Sequence, residues 1–208
     1  MSRLMDIGLE RLRALILEMA QLSERSVDTA IEAYMRGRGK PDEALSVAQR
    51  LRHLQEEASE VAVELIARFQ PVASDLRFIK SCMEIAYGFW RMSRYAYDIM
   101  VALDLCGDIS SCDKADARAA AERVKEMIRL SAQAFAERDA TMAKRLEAMD
   151  DEIDKIYLEH LKRALASRDA DVRCILSGSL MLRYLERIAD HAKYIGESVS
   201  YIAASPKD

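Results

Sequence analysis

Apolar side chains recur at steps of three and four residues along almost the whole chain, a periodicity that buries one stripe of a helix and suits little else. The pattern runs through Met5, Leu9, Leu12, Ile16, Met19, Ala20, Val27, Ala30, Ile31 and Tyr34, then breaks at Gly37 and Gly39. Pro41 fits the first turn of a second helix, with Asp42 and Glu43 where acids favour an amino terminus. That helix carries Leu45, Leu51, Leu54, Val61, Leu65 and Ile66 and closes before Pro71. A third, which Ser74 can cap, carries Leu76, Ile79, Met83, Ala86, Trp90, Ala96 and Ile99 and ends at Gly107. A polar loop from Cys106 to Asp113 precedes a fourth with Ala119, Val124, Met127, Leu130 and Phe135. Asp139 is placed to cap a fifth, and Asp169 or Asp171 a sixth that contains Leu180 to Ile195.

No strand signal competes. Asn is absent, so the Asn-Gly hairpin cannot occur, and no run alternates at period two. Six long helices with short connections must lie antiparallel to their neighbours. The spacing also repeats: laying Phe89 to Ala96 over Leu185 to Ala192 matches Arg, an apolar position, a small residue and Ala in register. The expected fold is all-α, with six long helices forming two tandem pseudo-symmetric three-helix bundles, residues 1–107 and 113–208.

Composition narrows the function. The 31 basic residues nearly balance 35 acidic ones, and a net charge of −4 provides no basic field to gather phosphate backbones, so nucleic acid is not the expected partner. No apolar run approaches bilayer length and Met1 to Asp6 lacks the plan of a signal peptide, so the expected location is the cytoplasm, without membrane insertion. Cys82 and Cys174 fall inside helical patterns and read as small buried hydrophobes. Cys106 and Cys112 flank the central loop, where a disulfide is open to a hyperthermophile and reduced thiols are the rule in an ordinary cytosol.

Two acid pairs at four-residue spacing carry the site reading. Glu186 and Asp190 lie on one side of the sixth helix, roughly opposite the stripe of Leu185, Ile188, Ala192 and Ile195, with His191 one position further round. Asp150 and Asp154 flank the stripe of Leu146, Met149, Ile153 and Ile156 on the fifth. Converging carboxylates present the hard oxygen donors that suit iron, manganese, magnesium or calcium, with His191 as a softer ligand. The plainer alternative is solvated charge, in which such pairs repel each other by a few tenths of a kcal/mol. His53 and His160 stand alone and read as surface or packing residues.

The stretches Gln70-Pro71-Val72-Ala73-Ser74-Asp75-Leu76-Arg77 and Leu185-Glu186-Arg187-Ile188-Ala189-Asp190-His191-Ala192 resemble the two signatures of the PhoU family of phosphate-uptake regulators. The resemblance extends from about Leu4 to Tyr201. It implies a non-catalytic negative regulator of phosphate uptake and signalling, usually a homodimer, that contacts components of a phosphate ABC transporter and/or a sensor histidine kinase. It also implies multinuclear iron or zinc clusters held at the surface by acid-x-x-x-acid motifs, one per repeat. Carried over, the metal ligands of the second repeat are Asp150, Asp154, Glu186 and Asp190. The first repeat aligns Ala48, Arg52, Trp90 and Arg94 at those positions. Its site is therefore expected to be lost, with Arg52 and Arg94 pairing with acids or filling the space of the metal.

Other readings differ in class. A metal-free helical adaptor, or an accessory protein of a low-affinity phosphate transporter, keeps the fold without the metal. A di-iron oxidoreductase needs Glu-x-x-His pairs pointing into a bundle core. The residues three before the histidines are Arg50, Tyr157 and Ile188, which argues against that enzyme.

Overall fold

The computed structural model describes residues 3–167 and 171–204, and it is built from six helices. They are α1 (Arg3–Arg36), α2 (Pro41–Phe69), α3 (Ala73–Cys106), α4 (Ala115–Glu137), α5 (Ala140–Ala166) and α6 (Val172–Ala203). Among the described residues there is no strand, and no helix is long and apolar enough to cross a membrane.

The stripes read from the sequence are the faces that pack. Leu12, Ile16, Met19, Val27 and Ala30 of α1 are fully or almost fully buried, as are Leu185, Ile188, Ala192 and Ile195 of α6. Helices α1, α2 and α3 pack on one another, and α4, α5 and α6 repeat the arrangement. Between the two units like meets like: α3 packs on α6 and α1 on α4. That pairing is what an internal two-fold relation between repeats produces, and the buried apolar residues of both units form one continuous cluster. As chain numbers rise along α3 from Glu84 to Tyr95, their partners on α6 fall from Ser198 to Tyr184, so the two central helices are antiparallel.

The helix ends follow local chemistry. Gly37 and Gly107 take left-handed φ of 73° and 71° where α1 and α3 stop. Pro41 opens α2, and the Asp139 carboxylate accepts hydrogen bonds from the Thr141 and Met142 amides at the start of α5. Asp171 does the same for α6 through the Arg173 amide; the alternative, Asp169, lies outside the described residues. Ser74 does not cap α3. The helix begins at Ala73 after Val72, and left-handed conformations at Gln70 (φ 48°) and Ala73 (φ 45°) reverse the chain within three residues.

The cysteines pair differently from either expectation. Cys112, in the linker between the units, is bonded to Cys174 in the first turn of α6, with Cα atoms 5.2 Å apart. Cys106 is free and half-buried, and Cys82 is a free buried thiol whose pKa is pushed up by desolvation. Cys174 is therefore a half-buried disulfide partner and not a core hydrophobe; in the linker it is Ile109 that buries fully, three residues before Cys112.

Candidate functional site

Asp150 and Asp154 on α5 face Glu186 and Asp190 on α6, and all four belong to one electrostatic neighbourhood. Asp154, Glu186 and Asp190 each have a pKa raised from the ordinary carboxylate value, first by desolvation and then by neighbouring carboxylates, with Arg183, Arg187 and Lys193 opposing the rise. Asp154 is affected by Asp150 and Asp190, Glu186 by Asp190 and Asp154, and Asp190 by Asp150.

Burial differs from the outward orientation read off the helical wheel. The side chains of Glu186 and Asp190 are only 13% and 19% exposed, because α6 packs on α3, α4 and α5 and leaves little free face. Asp150 is buried, whereas Asp154 remains exposed. One oxygen of Asp150 accepts a hydrogen bond from Lys193; the other, Oδ1, is buried with no hydrogen-bond partner.

Basic side chains already serve the cluster. Arg183 donates to both Glu186 oxygens at 2.8 Å, and Arg187 lies 3.6 Å from Asp190 and 4.0 Å from Glu186. Both arginines sit three residues before an acid on the same helix, a spacing legible in the sequence. Lys193 reaches across to another helix, and no local pattern announces that. Among the described residues no three His, Cys, Asp or Glu side chains are grouped closely enough to hold a metal ion in this arrangement. The donor chemistry fits a hard cation, and the orphaned Asp150 Oδ1 is the kind of atom a cation would satisfy. The positions of Lys193, Arg183 and Arg187 mean that such a cation must compete with the protein's own.

His191 belongs to a different environment. Its ring stacks on Tyr95 at 5.8 Å and meets Tyr87 and Tyr194 edge-on at 6.1 and 5.9 Å. Burial, with the nearby charges of Arg91 and Arg187, lowers its pKa to about 4, so the imidazole is neutral at physiological pH.

The corresponding region of the first repeat has no carboxylate pair. Ala48 is buried, Arg52 pairs with Glu56 at 2.7 Å and lies 4.6 Å from the centre of Trp90, and Arg94 pairs with Asp98 at 3.3 Å. The cations expected there find acids on their own helices and an indole face. The Gln70–Arg77 stretch forms the α2–α3 reversal and leaves Val72 and Leu76 exposed at 76% and 42%. His160, read from sequence as isolated, has Nδ1 2.9 Å from Asp116, and a Cβ placed on Gly178 would stand 2.9 Å from its ring. It is a packing residue between α4, α5 and α6.

Comparison with known proteins agrees with this architecture. The PhoU domain profile matches residues 16–102 and again 118–199, one copy per helical trio. A Pseudomonas putida protein named phosphate-specific transport system accessory protein PhoU homolog is 32% identical over 207 residues, covering 97% of this chain and 81% of its own. The Pseudomonas aeruginosa protein of the same name is 30% identical, covering 97% and 86%. The crystal structure of PhoU from Pseudomonas aeruginosa superimposes with a TM-score of 0.84 at 27% identity, covering 95% of this chain and 97% of that one. That of the phosphate transport system regulatory protein PhoU from Streptococcus pneumoniae gives 0.89 at 21% identity, a likeness of fold. With the profile matching twice and relatives aligned over nearly its full length, the chain belongs to the PhoU family.

Proposed function

We propose that this protein regulates phosphate uptake and phosphate signalling without catalysis, by docking its helical faces on components of a phosphate ABC transporter and/or a sensor histidine kinase. It does so in the cytoplasm, as a homodimer and as a negative regulator. The observation that carries this reading is the match over nearly the whole chain to proteins named as phosphate transport accessory proteins. Retention of a transporter ATPase or a histidine kinase on the tagged protein, differing between phosphate-rich and phosphate-starved cells, is the expected result. Neither partner retained in either condition, with phosphate uptake unchanged when the gene is deleted, would overturn it.

The same reading includes one cation site, in the second repeat only. Asp150, Asp154, Glu186 and Asp190 would supply carboxylate oxygens to iron, zinc or another hard or borderline divalent ion. When bound, such an ion would supply positive charge that neutralises these acids. The protein's own groups set the competition: Lys193 on Asp150 and Arg183 on Glu186 must release their acids for those oxygens to become ligands. Elemental analysis of the purified protein tests this. Wild type is expected to carry metal that the Asp154→Ala/Glu186→Ala double variant lacks, and Lys193→Met to carry at least as much as wild type. Equal metal in wild type and the double variant would remove the site and leave a metal-free adaptor.

A further inference from the structure

A groove of about 570 Å³ opens between α2, α3 and α6, next to the carboxylate cluster but separate from it. Its floor and sides are Met83 and Tyr87 of α3 with His191, Tyr194 and Ile195 of α6, and Gln55 of α2 lies along one edge. Tyr87 and Tyr194 are about half-exposed, so two phenol rings and the His191 imidazole border the opening. A volume in this range, lined mostly by aromatic and apolar groups with a few polar ones, suits a small molecule.

The groove is electrically polarised. One turn beyond it, each of the three helices carries an arginine: Arg52 three residues before Gln55, Arg91 four after Tyr87 and Arg187 four before His191. Because α2 and α6 run opposite to α3, all three stand at the same end. Arg52 and Arg187 have carboxylate partners, Glu56 and Asp190. Arg91 differs. Half-buried, it donates to the Tyr95 hydroxyl at 2.7 Å and lies over the rings of Tyr95 (4.7 Å) and Trp90 (5.6 Å); Asp98 feels its charge, but among the described residues no carboxylate stands within ion-pair distance of it. Glu84 and Glu197 line the groove at the far end, where Glu84 pairs with Lys80 and accepts from Ser198.

We propose that this groove binds a small aromatic anion, a planar ring joined to a phosphate or carboxylate. The ring lies against Tyr87, His191 and Tyr194, and the anionic group reaches Arg91, with Arg52 beside it. Stacking supplies tolerance for the ring's identity and the guanidinium fixes its direction. The acids at the opposite end disfavour the reversed orientation.

Trp90, the chain's single tryptophan, has the Arg52 and Arg91 guanidinium groups 4.6 and 5.6 Å from its ring centre and stands edge-on to Tyr87 at 5.5 Å, so its fluorescence reports on the site. The full-length protein is titrated in EDTA with AMP and with phenyl phosphate, by fluorescence and by calorimetry. Adenosine supplies a ring without the anion, inorganic phosphate the anion without a ring, and the peptide acetyl-Phe-Asp-Asp-amide a protein-like competitor. At least one aromatic phosphate is expected to saturate the site, with the uncharged ring and free phosphate each weaker by about tenfold or more. Arg91→Met is expected to reduce that affinity to the level of the uncharged ring, and Tyr194→Ala to weaken it by about tenfold. Circular dichroism melts verify that both variants fold; since Tyr194 is a surface residue, its variant serves if Arg91→Met does not. No saturable binding of either aromatic phosphate, equal affinity in the folded variants, free phosphate binding as tightly, or the peptide binding more tightly would each overturn the proposal.

Discussion

The Cys112–Cys174 bond closes the linker between the repeats onto the start of α6, across 62 residues of sequence. Its stabilising effect lies mainly in the unfolded chain, which loses the freedom to separate those points. For a loop of this length the loop-closure entropy is about 14 cal/mol/K, or ~4 kcal/mol at 25 °C. The folded state should tolerate the loss of the bond, because other contacts hold the linker. Ile109 is fully buried, Lys114 donates to the Met35 carbonyl at 3.1 Å, and Arg173 to the Asp108 carbonyl at 3.3 Å. Reduction is therefore expected to leave the helical circular dichroism spectrum intact and to lower the melting temperature by roughly 8–16 °C for a chain of this size. Urea unfolding with and without dithiothreitol measures the free energy. The Cys112→Ser/Cys174→Ser variant should match reduced wild type and ignore the reductant, which separates this bond from any effect at Cys82 or Cys106. Identical stability of oxidised and reduced protein, or four titratable thiols in denatured unreduced protein, would refute the pairing.

Two smaller perturbations probe the packing and the site. Raised pKa values mean that Asp154, Glu186 and Asp190 oppose folding when charged; that cost is complete above their folded-state pKa values and disappears as pH falls towards the ordinary carboxylate value near ~4. Asp154→Asn in metal-free protein should therefore stabilise by a few tenths of a kcal/mol at pH 7.5 and by nothing near pH 3.5, and parallel stability-versus-pH curves for the two proteins would contradict the mutual repulsion. At Gly196 a Cβ would stand 2.8 Å from Leu146 Cδ1 and 3.0 Å from the Ala143 carbonyl oxygen. A backbone oxygen cannot rotate aside, so Gly196→Ala should push α5 from α6 and cost about 1–3 kcal/mol by urea unfolding; an unchanged midpoint would mean that the helices have slack there.

The fold was legible because each helix buries a continuous stripe and because Gly37, Pro41 and Gly107 mark its limits. The site was legible only as chemistry. Spacing put Asp150 one turn from Asp154 and Glu186 one turn from Asp190, but the burial of a flank depends on which neighbours a helix acquires. The central position of α6 was not readable from its own residues, so Glu186 and Asp190 were expected to face outward. Lys193 on Asp150 and Cys112 on Cys174 are contacts between different elements. The turn at Gln70–Ala73 reverses within too few residues for Ser74 to act as a cap, and its left-handed residues are neither Gly nor Asn, which would have signalled them.

The duplicated repeat explains why one flank is acidic and its counterpart basic and aromatic. In the aligned segments Phe89, Met92, Ser93 and Ala96 correspond to Leu185, Ile188, Ala189 and Ala192, and all eight have no exposed surface. Those positions are fixed by packing, since a change of even one methylene there is felt by the whole core. Positions on the flank carry no such constraint, and there Trp90 and Arg94 stand against Glu186 and Asp190. Two other corresponding residues, Tyr95 and His191, stack on each other at 5.8 Å, which puts the pseudo-symmetry axis between them. The two flanks consequently meet on one face of the molecule, the carboxylates on α5 and α6 beside the arginines and rings of α2 and α3. Arg187 lies at that boundary, bound to Asp190 and close enough to His191 to depress its pKa. A cation that took Asp190 would release Arg187 beside the groove and raise its positive charge, so occupancy of the carboxylate site and affinity of the groove for an anion should increase together.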